Sequence, residues 1–221
     1  APENDWAHHL PASGTMTHTL STIKTKKTHN GREAYYDAQH NAYVVKIMPG
    51  DHYVSHAPDE VLSTVLGSCI AACIYDPKTK RGGMNHFMLP KSESGTWGGH
   101  SAGMRFGNFA MEVLINDILT LGRKRTDLEV KIFGGGQIMG DIMGVGDKNI
   151  AFIHDYILSE NLRVVQKSLG DRCARRLFYF PATGVVIEKK VPVDGETQEV
   201  IKQETRYQRT FKPKDCEIEL F

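Results

Sequence analysis

Apolar residues along this chain fall mostly in alternating or short continuous runs, and helical spacing is confined to two stretches. Ala42-Tyr43-Val44-Val45-Lys46-Ile47-Met48 is rich in β-formers and closes at Pro49-Gly50, which reads as a strand. Val61 to Asp76 is a long run broken only at Gly67-Ser68. After the polar stretch Asp76-Pro77-Lys78-Thr79-Lys80, a second run from Gly83 to Leu89 stops at Pro90, and the pair predicts a β-hairpin. Lys91 to His100 is a glycine- and serine-containing loop around Trp97. From about Asn108 to Leu121 the spacing of Phe109, Val113, Leu114, Ile118 and Leu121 predicts an amphipathic helix that Gly122 ends. Leu128 to Phe133 reads as a strand entering Gly134-Gly135-Gly136. A second helix is predicted from Asn149 to about Glu160, with Ile150, Ile153, His154 and Ile157 on one face. Leu162 to Val165 is a further strand, and Arg176–Phe180 and Gly184–Val191 flank Pro181-Ala182-Thr183-Gly184 as a second hairpin.

Residues 1–41 mix Pro, Ser, Thr, His and Lys without periodicity and predict a flexible N-terminal tail. Residues 42–190 form the expected folded domain, and 191–221 a polar C-terminal extension with weak strand signals. Strands outnumber helices without strict β–α alternation. That pattern predicts an α+β fold of one or two mostly antiparallel layers, with two helices against one face. No internal repeat is visible.

At 221 residues the chain suffices for one good-sized core. With 27 basic and 26 acidic residues, its formal charge of +1 provides no field for gripping nucleic acid or an anionic membrane surface. No apolar run approaches the roughly 20 residues a membrane span requires, and Ala1 to His9 carry no apolar signal-peptide core. The expectation is a cytoplasmic protein that is not membrane-inserted. Free thiols are then the default state of its four cysteines, Cys69, Cys73, Cys173 and Cys216.

The first hairpin carries the candidate chemistry. A four-residue loop of Asp76 to Thr79 places Tyr75 opposite Lys80, Cys73 opposite Gly82 and Cys69 opposite His86. Side chains alternate along a strand, so thiol and imidazole share a face as direct neighbours, their Cβ atoms about 4.5–5.5 Å apart. Ser63 shares that parity and brings a hydroxyl toward the same face. A histidine can take the thiol's proton, a hydroxyl can hold the ring, and backbone N–H groups at Gly67-Ser68 can meet a developing oxyanion. The same pattern fits two small core cysteines and a hydrogen-bonded strand histidine, and pattern alone favours that reading.

Leu66-Gly67-Ser68-Cys69-Ile70-Ala71-Ala72-Cys73-Ile74-Tyr75-Asp76-Pro77 and Gly82-Gly83-Met84-Asn85-His86-Phe87-Met88-Leu89-Pro90 resemble the signature of the CheD family, bacterial chemoreceptor glutamine deamidases. Lys131-Ile132-Phe133-Gly134-Gly135-Gly136, Gly146-Asp147-Lys148-Asn149 and Pro181-Ala182-Thr183-Gly184 continue the match in family order over roughly residues 42 to 190. The resemblance implies a layered α/β/β sandwich with a Cys-His-Thr triad and no cofactor or metal. In this sequence the cysteine is Cys69 and the histidine His86. The threonine position falls on Ser63, with Thr64 beside it as the fallback. The implied activity is hydrolysis of glutamine side-chain amides on the cytoplasmic domains of methyl-accepting chemoreceptors. The alternative is a non-catalytic docking partner of chemotaxis proteins such as a CheC-type phosphatase. Gly170-Asp171 departs from the paired glycines usual in the family.

Other features carry less. Gly134-Gly135-Gly136 has no following Gly-Lys-Ser/Thr, and Gly144-Val145-Gly146 lacks a third glycine, so close backbone packing is the better reading of both. His8-His9 lies in the tail, and Pro49, Gly50 and Pro58 argue against a helix aligning His52 and His56 on a metal. Tyr75, Trp97 and Phe106 read as core or pocket wall. Arg123-Lys124-Arg125 reads as a basic helix C-terminus.

Overall fold

A computed structural model of the chain describes residues 24–89, 102–119, 124–138, 144–192 and 195–210. The tail up to residue 23 with His8-His9, the loop 91–100 with Trp97, Gly122 and Cys216 lie outside the described residues.

Eleven strands form two sheets among these residues. The first runs β1 (Thr25–Lys27), β2 (Glu33–Asp37), β3 (Ala42–Lys46), β5 (Glu60–Leu66), β10 (Ala174–Phe180) and β11 (Val185–Val191). The second runs β4 (His52–Ser55), β7 (Arg81–Asn85), β6 (Ile70–Asp76), β8 (Glu129–Gly134) and β9 (Arg163–Leu169). β3 with β5 and β8 with β9 pair in parallel; every other pairing is antiparallel. Helices α1 (Ala102–Ile118) and α2 (Val145–Ser159) cover one face of the second sheet, whose other face meets the first. The order is α/β/β, as expected.

The alternation within β6 builds both layers. Ile70, Ala72 and Ile74 pack toward Met111, Leu114, Ile115 and Ile118 of α1 and Phe152 and Ile153 of α2. Ala71 and Cys73 pack between the sheets with Leu62, Leu66, Met84, Phe133, Leu177 and Tyr179. A strand buried on both faces reads as a continuous apolar run, which is why Val61 to Asp76 shows no polar alternation. No helix of the described residues is long and apolar enough to cross a membrane.

Several expectations are corrected. The predicted tail 1–41 contains two strands, because Lys24 to Asp37 draws its order from pairing at the edge of the first sheet rather than from its own periodicity. The extension 191–221, read as weakly strand-like, contains helix α3 (Gly195–Thr210). α1 starts earlier than predicted and is rotated: Leu114 and Ile118 face inward, but Phe109 is half exposed while Met111 and Ile115 are buried. Arg125 does not end a helix. It lies in a short 3-10 turn, where its guanidinium bonds Glu112 of α1 at 2.7 Å and Glu160 after α2 at 2.8 Å.

The hairpin register also differs. Asp76 pairs with Arg81 and Cys73 with Met84, so the loop is Pro77 to Lys80. The Asp76 carboxylate accepts from the Lys78 N–H and the Thr79 hydroxyl, both at 2.9 Å, and Lys80 closes the turn at φ 54°. That is a slip of two residues, which moves partners along the strand and leaves every side chain on its expected face.

Candidate active site

Between β5 and β6 the chain leaves one sheet and enters the other through Gly67, Ser68 and Cys69. The three carbonyls of this crossing are fastened from one side. Gly136 N–H donates to Gly67 O at 2.8 Å, Asn149 Nδ2 to Ser68 O at 2.8 Å, and Gly135 N–H to Cys69 O at 2.8 Å. Asn149 is itself fixed, since its Oδ1 accepts the Leu89 N–H at 2.9 Å. The glycine run after β8 is thus a clamp on this crossing. A Cβ on Gly134, which sits at φ 116°, would lie 2.0 Å from the Cys69 carbonyl oxygen, and one on Gly136 would lie 2.9 Å from that of Gly67. Close packing explains Gly146 as well, since its Cβ would stand 2.7 Å from Gly135 O.

With the carbonyls held, the amide N–H groups of Gly67, Ser68 and Cys69 point together at one place, and a carboxylate lies there. Glu204 of α3 accepts from Gly67 N at 2.7 Å, Ser68 N at 2.9 Å, Ser68 Oγ at 3.0 Å and, more weakly, Cys69 N at 3.4 Å. Consecutive N–H groups converging in this way form an anion-binding nest.

Cys69 is fully buried, and its parity matches that of Ala71 and Cys73 in the inter-sheet layer. His86 follows β7 and is also buried. Its backbone is pinned at both ends: N–H to Asp51 O at 2.9 Å, and O from Gly50 N–H at 2.7 Å. The register slip makes thiol and imidazole diagonal rather than direct neighbours, yet Cys69 Sγ, one His86 ring nitrogen and one Glu204 oxygen lie within 4.8 Å of one another. A thiol, an imidazole and a carboxylate are donors that zinc accepts. Both Glu204 oxygens receive N–H groups of the crossing, and His86 Nε2 has no hydrogen-bond partner among the described residues.

The hydroxyl beside His86 belongs to Thr64, and the expectation that Ser63 faces the imidazole is corrected. Thr64 Oγ1 lies 2.8 Å from His86 Nδ1 and donates to Ile47 O at 2.7 Å. Parity counted back from Cys69 selected Ser63, but that count crosses Gly67 to Cys69, where the chain changes sheets and the alternation restarts. Within β5, Leu62 and Leu66 face the inter-sheet core, so Thr64 faces it too and Ser63 looks outward. Ser63 lines a cleft of about 360 Å³ with Tyr35, Lys46, Arg176 and Gln203, at whose inner end lie Thr64 and His86.

A threonine hydroxyl has one proton. Since that of Thr64 goes to Ile47, its oxygen can only accept from His86, which puts the imidazole proton on Nδ1 and leaves the lone pair on Nε2. Nε2 is buried and has no hydrogen-bond partner among the described residues. Burial lowers the pKa of the ring, with the charges of Glu204 and Asp51 among the opposing influences. Burial, the charge of Glu204 and a hydrogen bond with it push the Cys69 thiol well above the usual range. Cys73 is raised by burial alone, with Lys131 opposing, and is a packing residue. Nothing in the pattern of the chain singled out Glu204.

Fold and site define an α/β/β sandwich that gathers a thiol, an imidazole and a hydroxyl beside an N–H nest. The chain belongs to the CheD family. A family model described as "CheD chemotactic sensory transduction" matches residues 88–190. Relatives named "Probable chemoreceptor glutamine deamidase CheD" extend the likeness. The one from Rhodopseudomonas palustris (strain BisA53) is 42% identical over 191 residues, covering 86% of this chain and 89% of its own. One from Bordetella avium (strain 197N) is 46% identical, with 76% and 74% covered, and one from Thiobacillus denitrificans 41%, with 85% and 94% covered. A solved structure of the Neisseria meningitidis protein NMB0706 aligns with 60% of the chain at 9% identity and a TM-score of 0.40, a likeness too slight to carry an argument.

Proposed function

We propose that this chain deamidates glutamine side chains on the cytoplasmic domains of chemoreceptors, using Cys69 as nucleophile, His86 as base and Thr64 as the residue that positions His86. The observation that carries the reading is the placement of Thr64, which donates to Ile47 O and lies 2.8 Å from His86 Nδ1. Thr64 fixes the Nδ1–H tautomer, so Nε2 is the atom free to take the Cys69 proton. The thiolate then attacks the carboxamide carbon, and the oxygen that gains charge meets the N–H groups of the crossing, including those of Ser68 and Cys69. Collapse of the tetrahedral adduct breaks the C–N bond, and His86 returns its proton to the leaving ammonia. Water, deprotonated by His86, cleaves the thioester and restores the thiol, leaving a γ-carboxylate. The net change is carboxamide plus water to carboxylate plus ammonium, and these steps use only side chains and backbone amides of the chain.

The names of the relatives supply the substrate class, and the nest's grip on the Glu204 carboxylate supports a site suited to a glutamyl γ-carboxyl group. The setting that follows is the cytoplasm. The experiment is intact mass of a receptor cytoplasmic fragment incubated with the protein, where each converted glutamine adds about 1 Da, since NH₂ becomes OH. Docking to a CheC-type phosphatase would survive Cys69→Ala, whereas deamidation would not.

A further inference from the structure

The group in the nest is chemically telling. Deamidation leaves a glutamyl γ-carboxylate, and Glu204 presents that same group, on a helix, to the amides of Gly67, Ser68 and Cys69. The contact is buried: Glu204 is 3% exposed although α3 is a largely polar sequence. Glu199, Gln203 and Tyr207, spaced one turn apart along a face that adjoins Glu204, extend the coverage. Glu199 and Gln203 line the cleft that leads to Thr64 and His86. Tyr207 packs on Gly50, where an added Cβ would stand 2.6 Å from its hydroxyl, and Gly50 is the residue whose N–H holds the His86 carbonyl. Cys69 at 0% and His86 at 1% exposure leave no approach for an external carboxamide while this helix is seated.

We propose that α3 is a tethered inhibitor of the site: Glu204 occupies, as a product mimic, the subsite for the γ-carboxyl group of a substrate glutamyl side chain, and α3 lifts away before a receptor glutamine enters. The inference rests on the deamidase reading. A structural salt-bridge partner would neutralise Glu204 with a cation, but here the carboxylate is held by the amides of the nucleophile's own loop. The Glu204 carboxylate also lies within 4.8 Å of the Cys69 thiol and of a His86 ring nitrogen, in the space a substrate carboxamide has to enter.

The test uses the full chain with Glu204→Ala and Tyr207→Ala, folding checked by circular dichroism. The readout is the rate of iodoacetamide labelling at Cys69, followed on its peptide, with Cys173 as the internal reference. Loss of charge-assisted hydrogen bonds that hold a closed form should raise its open population, and the labelling of Cys69, by roughly 10- to 100-fold. Labelling of Cys173 should be unchanged. Glu204→Gln adds a second readout. A carboxamide seated beside Cys69 is a substrate in cis, so this variant should gain about 1 Da on standing, and Glu204→Gln combined with Cys69→Ala should not. Faster Cys69 labelling without deamidation of the carboxamide introduced by Glu204→Gln, or of any receptor fragment, would uphold α3 as a cover over Cys69 but sink the deamidase reading and, with it, the product-mimic role of Glu204. If folded Glu204→Ala labels no faster than wild type, or if Glu204→Ala cannot fold at all, α3 is a structural element and the proposal is overturned.

Discussion

Thr64 has one hydroxyl proton, and the direction in which it points decides which nitrogen of His86 can act as base. Thr64→Ala removes the acceptor for Nδ1–H and lets the ring turn, while thiol and imidazole remain. Turnover on a receptor fragment should fall roughly ten- to a hundredfold, about 1.4–2.7 kcal/mol of transition-state stabilisation. Thr64→Ser keeps the hydroxyl and should recover most of it. Ser63→Ala, on the outward face of β5, should leave the chemical step near wild type; the assignment fails if Ser63→Ala is the crippled variant. The thiol itself gives a pH test. Burial and the Glu204 charge favour its protonated form, so thiolate accumulates only above the ordinary thiol range, about 8.5. Iodoacetamide labelling of Cys69 in the wild type should therefore keep climbing as pH passes through that range, and a plateau reached near neutrality would contradict it. Cys73, sealed in the inter-sheet core, loses one buried heavy atom in Cys73→Ala. That change should cost about 0.5–1.5 kcal/mol in urea unfolding and leave activity substantially intact.

At the scale of elements, the site depends on a chain crossing held by a glycine run. Gly134→Ala forces a side chain into a positive-φ position and against the Cys69 carbonyl. The strained backbone alone costs about 1–3 kcal/mol. Chemical denaturation should show at least that loss, and any folded fraction should be nearly inactive because the N–H nest is displaced. A Gly134→Ala protein with wild-type stability and turnover would mean that the crossing does not need the clamp. The same elements show what the sequence made legible. Cys69 and His86 were readable as partners because strand parity survives a two-residue slip, so an error in the loop did not separate them. Thr64 was not, because parity is a property of one strand and the count from Cys69 to Ser63 passed through Gly67, where a new sheet begins. β1 and β2 owe their order to pairing, which leaves little periodic trace in short polar strands. α3 was hidden by its polarity, since a helix that seats one carboxylate needs no continuous apolar stripe.

For the molecule as a whole, two buried layers share the second sheet, and Cys69, the proposed nucleophile, sits at the end of the strand that belongs to both. β6 cannot shift without disturbing the α1 and α2 layer on one side and the first sheet on the other, which makes the protein a rigid holder for Cys69. What can change is α3, joined to β11 through only the few residues between Val191 and Gly195 and laid over the site, with Tyr207 packed on the edge of the inter-sheet core. Reactivity thus belongs to the rigid sandwich and access to the C-terminal helix. The central claim is that Cys69 deamidates receptor glutamines. The most direct measurement is intact mass of a chemoreceptor cytoplasmic fragment after incubation with wild-type protein or Cys69→Ala, with both confirmed as folded. Gains of about 1 Da per modified glutamine are expected with the wild type and none with Cys69→Ala, since acyl transfer needs the thiol. Equal gains with both proteins would contradict the claim.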